Sequence, residues 1–566
     1  MHTDKKGIRL LVAICKAKGL TDIVISPGSR NAPLVIEFTR DAAFRCLVVP
    51  DERSAAFVAL GIAQQTGHPT AVICTSGTAP LNYSPAMAEA YYQRIPLVAI
   101  TADRPAEWID QADGQAINQR GMYQNYVRRS INLPQEPSEE ADFWYLQRIV
   151  SETLDIAMGP VKGPVHINVP MREPLYNQED ADEQVLNLPS SLCIESKLHD
   201  DVIVKLAAEW NNCKRKMIIC GGLIPSNPVK KILSRLNTDP SLIILTESTS
   251  NLILDHTITC IDRVLATISK DDEQYFTPDL LVTMGGPVVS KKIKAFIRKH
   301  KPLHHWHLDP DALHIDTYQS LTHHIPLEPE AFLNQLIDSV IPVVSTYRDK
   351  WLKNDSIAEA AHKDYVHDLK WSDMKVFETV LKYLPEGSDL QMGNSTPVRY
   401  VQLFKAFKPL NYFANRGTSG IDGCVSTAVG ASIASEKLTT LIVGDMAFFY
   451  DSNGLWHQHV PANLRIILIN NGGGGIFRII EGPAGVPELE KYFETRHQFK
   501  ANNIAATFGL NYSSCSSYNE LQERLPLFYQ ESDKANLLEI FTPFEENAEV
   551  LSAYFKFISE RSLIKS

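Results

Sequence analysis

Short apolar runs, each closed by Gly, Pro or Asp and each followed by a helix-spaced segment, recur along almost the whole of this chain. In the first third the runs are "DIVISPG" (22–28), "RCLVVP" (45–50), "TAVICTSG" (70–77), "IPLVAITADRP" (95–105) and "GPVHINVP" (163–170). Segments such as "SRNAPLVIEFTR" and "DERSAAFVALGIAQQTG" between them carry helical periodicity. A sheet wet on one face would alternate apolar and polar residues. Unbroken apolar strands alternating with helices predict instead a parallel sheet covered on both faces. Residues 172–191 are rich in acid, amide and proline, lack periodicity and read as a linker. The pattern then resumes with "KMIICGG", "SLIILTES", "DLLVTMGG" and "PLHHWHL", and again with "LNYFANRG", "LTTLIVGD", "LRIILINN" and "ANLLEIF". The 566 residues exceed what one hydrophobic core holds. The predicted fold class is therefore α/β, with three consecutive doubly wound parallel-sheet domains at 1–180, 190–345 and 355–566. The three units are not obvious sequence repeats.

Composition narrows the partners. With 44% hydrophobic and 21% charged residues the chain has the make-up of a soluble globular protein. Its formal net charge of −11 argues against wholesale nucleic-acid binding, so an anionic substrate must be met by a local basic cluster. Nine scattered cysteines without a CxxC pair fit reduced core residues and a cytoplasmic location. The N-terminal "MHTDKKGIRLLVAICKAKGL" reads as an amphipathic helix rather than a signal peptide, and no apolar stretch approaches a membrane span.

In open α/β sheets, ligands gather at the carboxyl ends of the strands. Asp445 ends one such strand in "VGDMAFF". Asn471 ends the next in "LINNGGGGIF", 26 residues later with a helix between. A βαβ crossover places those strand ends side by side, so a carboxylate and an amide oxygen can share one space. Hard oxygen ligands suit Mg²⁺, which often shares its shell with phosphate oxygens. The glycines let the backbone offer a carbonyl and approach a phosphate without a Cβ. Gly-Asp and Asn-Gly pairs are also ordinary turn formers, and each alone has that reading. The run lacks a GK[ST] ending and GxGxxG spacing, so it is neither a nucleotide P-loop nor a dinucleotide fingerprint.

Asp445 and the paired asparagines resemble the diphosphate–metal motif of thiamine diphosphate enzymes, with Met446 where that motif has a second Gly. The resemblance implies that Asp445, the Asn471 side chain and the Gly473 carbonyl hold Mg²⁺ or Mn²⁺ against the cofactor diphosphate. "VVPDERSAAFVALGIAQQTG" resembles the family's cofactor-activating segment, which implies that Glu52 hydrogen-bonds a pyrimidine nitrogen and favours the imino tautomer that deprotonates the thiazolium. Alone, Glu52 would read as an acid in a first helical turn. "SPGSRNAPL" (26–34), "TSGTA" (75–79), "TADRP" (101–105), "SKK" (290–292), "GNSTPVR" (393–399), "NRGTSGIDG" (415–423) and "GGIF" (474–477) extend the likeness over nearly the whole chain. Together they resemble the 2-succinyl-5-enolpyruvyl-6-hydroxy-3-cyclohexene-1-carboxylate synthase family of menaquinone biosynthesis.

That resemblance implies decarboxylation of 2-oxoglutarate and conjugate addition of the succinyl unit to isochorismate, at sites shared between subunits of a homodimer or homotetramer. It assigns Ser395 and Arg399 to the succinyl carboxylate, with Arg416 nearby. Ser29, Arg30, Arg104, Gln115 and Lys291 fall on the isochorismate side, and Lys292 belongs to the same cationic set. Ile421 is the residue that bends the cofactor, and Ile476 and Phe477 line the pocket. Gly114 stands where the family often has Asn, so no side-chain contact is assigned there. The first-domain motifs lack the adjacent His-His pair of simple 2-oxoacid decarboxylases, as suits an enzyme that keeps its carbanion for carbon–carbon bond formation. Guanidinium forks bind carboxylates bidentately, which fits two dicarboxylate substrates in an acidic protein. Two other readings stay open: a catalytically idle thiamine-binding subunit of the same fold, and an acetolactate-synthase-like carboligase using pyruvate. His305 and His307 share a strand face in "LHHWHL" (303–308), but two imidazoles without a third ligand read as strand residues.

Overall fold

The computed structural model describes residues 1–180, 186–189, 191–192, 196–311, 313–479 and 485–565. Cys193 and parts of the expected linker, 181–185 and 190, lie outside the described residues. Three six-stranded sheets form, and all neighbouring strands within each are parallel. The first sheet runs, edge to edge, Arg45–Val48, Asp22–Ile25, Thr70–Cys74, Leu97–Asp103, Val165–Pro170 and Arg129–Asn132. The third runs Asn411–Phe413, Asp389–Met392, Thr439–Gly444, Leu464–Asn470, Asn536–Phe541 and Asn511–Cys515. Numbered along the chain, both have the strand order 2-1-3-4-6-5, whereas the middle sheet has 3-2-1-4-5-6. The two outer domains thus share a topology that their residues do not advertise.

Side-chain alternation shows why the strands are apolar throughout. In the first sheet Val24, Val72 and Ala99 enter one buried cluster while Ile23, Ile25, Ala71 and Ile73 enter another on the opposite face. The third and middle sheets divide in the same way. One cluster is common to the first and third domains, running from Val24 and Leu97 through Val425 and Val429 to Leu441 and Leu468. It is spanned by the helices Glu52–Thr66 and Cys424–Ala434, which cross at glycines. A Cβ on Gly61 would lie 2.1 Å from the Thr427 carbonyl oxygen, and one on Gly430 would lie 2.0 Å from that of Val58. The helix Tyr347–His367 ties the other pair of domains. Its Tyr347 and Trp351 sit in the middle-domain core, and its Ala358, Ala361 and Val366 in the third.

Strand order reverses between the first and third strands of each outer sheet. The crevices at these switch points are flanked by Ser26–Arg30 and Thr75–Gly77 in the first domain, and by Gly393–Arg399 and Asp445 in the third. In the middle sheet that position is filled by its own backbone. The Gly286 N–H donates to the Gly222 carbonyl at 2.7 Å, and a Cβ on Gly221 would lie 1.9 Å from the Gly286 oxygen. Near the start of the expected linker, Gln178–Glu179 pairs antiparallel with His2–Thr3. Among the described residues no helix is long and apolar enough to cross a membrane.

Candidate active site

Asp445 is the first residue of the helix Asp445–Tyr450, immediately after strand Thr439–Gly444, and is buried. Its Oδ2 accepts the N–H groups of Gly472 and Gly473 at 2.8 and 2.9 Å, and its Oδ1 accepts that of Met446 at 2.6 Å. The carboxylate therefore shapes the glycine run directly. Gly472 has φ 82° and Gly473 φ 151°, and a Cβ on Gly473 would lie 2.8 Å from the Glu494 carbonyl oxygen. Only glycine fits there. Asn471 donates from Nδ2 to Asp373 Oδ2 at 3.2 Å, which turns its amide oxygen away; that oxygen is buried and has no hydrogen-bond partner among the described residues. A buried acceptor left unpaired costs about 1–3 kcal/mol, so it points to a ligand that supplies positive charge. The Gly473 carbonyl accepts the Gly475 N–H at 2.9 Å and keeps a second lone pair. Asp445, Asn471 and Gly473 thus present a hard-oxygen donor set. Among the described residues no group of three or more His, Cys, Asp or Glu side chains is placed to hold a metal.

Three neighbours of this clamp were not anticipated. Asp373 is buried and also accepts from Thr542 Oγ1, and burial pushes its carboxyl up to about 6, with the charge of Asp445 adding to the rise. His497 Nε2 lies 3.4 Å from Asp445 Oδ2, its ring stacked on Phe499. Asn470, without an assignment from the sequence, bonds Phe499 O and Glu539 Oε1 at 2.9 and 2.7 Å and accepts from the Gly472 N–H, so it fastens the strand end beneath the glycines. Phe477 lies against Phe493 with ring centroids 5.7 Å apart, and Ile476 opens the short helix Ile476–Ile479.

Glu52 opens the helix Glu52–Thr66, which is capped by Asp51 through the Ser54 N–H. Asp51 and Arg53 both reach the third domain, to Asn453 Nδ2 at 2.7 Å and the Tyr450 carbonyl at 2.9 Å. Glu52 is half-buried, and desolvation, helped by the Asp51 charge, holds its carboxyl above the usual range. A solvated acid placed only to complement a helix dipole would show the opposite shift. Ile421 packs against the cluster shared by the first and third domains.

The remaining candidates fall into two groups. In the first domain Arg30 is buried, with Nη1 on the Met171 carbonyl at 3.2 Å and Nη2 on Glu173 Oε1 at 3.0 Å. Arg104 donates to the Gly114 carbonyl at 2.8 Å and faces the same Glu173, while its Nε lies 3.5 Å from Asp113 Oδ2 and makes no hydrogen bond among the described residues. Gln115 has φ 56°, and its carbonyl accepts Ser76 Oγ at 2.9 Å. Ser29 is exposed at the mouth of the same crevice. Beneath them Gln119 links the Gly77 N–H, the Ala102 carbonyl and Asn168, which bonds Asp103 at 2.7 Å.

The second group joins the middle and third domains. Ser395 has φ 75° and ψ −120°, a strained conformation for a residue with a side chain, and its carbonyl accepts Arg399 Nη1. Arg416 donates to Asn394 Oδ1 at 2.8 Å, and its Nε is buried without a hydrogen-bond partner among the described residues. Burial holds both guanidinium groups below the usual arginine range, and the charge of Arg399 adds to the depression at Arg416. Two half-desolvated cations that repel each other make a site that an anion relieves. Asn394 ties the two loops, donating to the Asn415 and Gly420 carbonyls at 2.7 Å each. Glu89 of the first domain holds the Arg416 loop from below, accepting the N–H groups of Gly417 and Thr418 at 2.7 Å. Lys291 and Lys292 are both exposed, and the Lys292 ammonium lies 3.2 Å from the Phe555 ring centroid. His305 and His307 do share a face, and both bond Thr283 Oγ1, at 3.0 and 2.8 Å.

Comparison with known proteins accords with this geometry. Residues 5–127 match the model of the N-terminal TPP binding domain of thiamine pyrophosphate enzymes, 194–391 the middle domain, and 392–540 the C-terminal TPP binding domain. The chain is similar to the 2-succinyl-5-enolpyruvyl-6-hydroxy-3-cyclohexene-1-carboxylate synthase of Flavobacterium johnsoniae, at 44% identity over 96% of this chain and 98% of the relative. The synthases of Porphyromonas gingivalis and Bacteroides thetaiotaomicron are 41% and 38% identical, each over 99% of this chain. They cover 98% and 100% of those relatives' own lengths.

Proposed function

We propose, since this chain belongs to the 2-succinyl-5-enolpyruvyl-6-hydroxy-3-cyclohexene-1-carboxylate synthase family of thiamine pyrophosphate enzymes, that it decarboxylates 2-oxoglutarate and adds the succinyl unit to isochorismate. The products are the cyclohexene carboxylate and CO₂. The observation that carries the reading is the placement of two arginines at the third-domain switch point in a protein of net charge −11: Arg399 lies against the Ser395 carbonyl, and Arg416 is tied to the same loop through Asn394 with its buried Nε unpaired among the described residues. Bound thiamine diphosphate supplies the electron sink. Glu52 holds a proton shared with a pyrimidine nitrogen, a task its half-buried site favours. Asp445, the Asn471 side-chain oxygen and the Gly473 carbonyl would hold Mg²⁺ or Mn²⁺, which would supply positive charge to the cofactor diphosphate. Arg399 and Ser395 orient the 2-oxoglutarate side-chain carboxylate, and Arg30, Arg104, Gln115, Ser29 and Lys291 receive isochorismate.

A homodimer is the minimal unit of this reading, with a tetramer also compatible. A cytoplasmic location goes with these small-molecule substrates. The deciding experiment follows isochorismate loss in purified protein with thiamine diphosphate, Mg²⁺ and 2-oxoglutarate, omitting each in turn. Loss that persists without thiamine diphosphate or without 2-oxoglutarate overturns the proposal, and bound flavin in the absorption spectrum would favour the pyruvate carboligase.

The division of the cations is testable separately. Arg399→Ala should raise the KM for 2-oxoglutarate by about tenfold or more, the scale of one lost charge-assisted hydrogen bond. The KM for isochorismate should change little. Equal rises in both would reject the assignment.

A further inference from the structure

We infer that Glu247 is a positioning residue, a buried carboxylate that fixes the loop presenting Lys291 to the substrate side of the active site. The inference rests on the function proposed above. Glu247 follows strand Leu242–Thr246 of the middle sheet and is 2% exposed. Its oxygens take two consecutive backbone donors, Oε2 the Val289 N–H at 2.7 Å and Oε1 the Ser290 N–H at 2.8 Å. Ser290 is in turn the N-cap of helix Lys291–Lys299, its Oγ accepting the Ile293 N–H at 3.1 Å and donating to Asp262 Oδ1. Two middle-domain carboxylates therefore grip the two residues that precede Lys291.

The choice of residue type is informative. Burying a carboxylate is costly, and closing a loop does not require one. A carboxylate does supply two strong parallel acceptors in a fixed fork, which locks both peptide planes at once. Burial pushes the Glu247 carboxyl up to about 7 against the pull of those two backbone donors, and its charged form is felt at Arg416 of the third domain and at Lys294 of the lysine helix. Lys292 is already held over Phe555, so the residue whose direction depends on this grip is Lys291.

The test is Glu247→Gln, which keeps the shape but turns an amide NH₂ toward one of the two loop N–H groups. The KM for isochorismate should rise roughly tenfold, with kcat and the KM for 2-oxoglutarate changed by less than about twofold. In a Lys291→Ala background the same substitution should add almost nothing, because both act through one side chain. Amide hydrogen exchange over residues 286–294 should quicken roughly tenfold, while strand Lys216–Cys220 keeps its protection. An equal loss in all kinetic parameters, full additivity with Lys291→Ala, or unchanged exchange overturns the inference. Should Glu247→Gln fail to fold, Ser290→Ala removes the cap with Glu247 intact and must give the same split. The exchange measurement needs no turnover. A wild-type protein inactive on isochorismate would therefore sink the functional reading while this inference is still decided.

Discussion

Glu52→Gln should give a folded protein that still binds thiamine diphosphate and whose kcat has fallen by roughly 10²–10⁴-fold, the range over which one positioned proton-transfer group contributes. Folding should survive because the helix start does not depend on this side chain. Asp51 caps it, and Asp51 and Arg53 tie it to the third domain. Binding should survive because the residues proposed to hold the diphosphate, Asp445, Asn471 and the glycines, belong to the third domain. What the substitution removes is a carboxyl that burial and Asp51 hold above its ordinary pKa, ready to share a proton with a ring nitrogen. Glutamine matches its size but cannot make that exchange. Steady-state kinetics beside a cofactor-binding titration separate the two effects. Near wild-type turnover would remove Glu52 from the chemistry, and loss of binding would reassign it to holding the cofactor.

Interior strands were legible in the sequence because parallel strands buried on both faces appear as apolar runs, such as "LRIILIN" over Leu464–Asn470. The edge strands Arg45–Val48 and Asn411–Phe413 were legible too, within "RCLVVP" and "LNYFANRG", but those at the opposite edges were not. Arg129–Asn132 and Asn511–Cys515 each have one open side, so "RSIN" and "NYSSC" carry no continuous apolar signal. The shared 2-1-3-4-6-5 order of the outer sheets was also hidden, since strand order is set by packing and not by residue identity.

The site divides in the same way. Asp445 and Asn471 are neighbours across one crossover and could be paired by spacing alone. Asp373 meets Asn471 from 98 residues away, and Glu89 meets Gly417 from 328 away. Such acids support the site from elements that local motifs do not reach. Their available signal was weak: Glu89 is an acid on an otherwise apolar helix stretch.

Gly430→Ala should destabilise the protein by about 3 kcal/mol or more, although alanine is the better helix former. In an unobstructed helix this change stabilises by roughly 0.5–1 kcal/mol, so the predicted sign is reversed. The reason is steric. The new Cβ would meet the Val58 carbonyl oxygen at 2.0 Å, and that oxygen belongs to a helix backbone that cannot step aside alone. Gly61→Ala meets the Thr427 carbonyl at 2.1 Å from the opposite side, so each helix presents its glycine to the other's backbone. Either methyl must push apart Glu52–Thr66 and Cys424–Ala434, and with them the core common to the first and third domains. Glu52 rides on the first of these helices, and Ile421 leads into the second. Separation should therefore lower kcat as well as the midpoint of the first calorimetric transition. The double variant should fall short of additivity, because one displacement relieves both clashes. An unchanged or raised midpoint for Gly430→Ala would show that the helices do not meet as closely as this crossing requires.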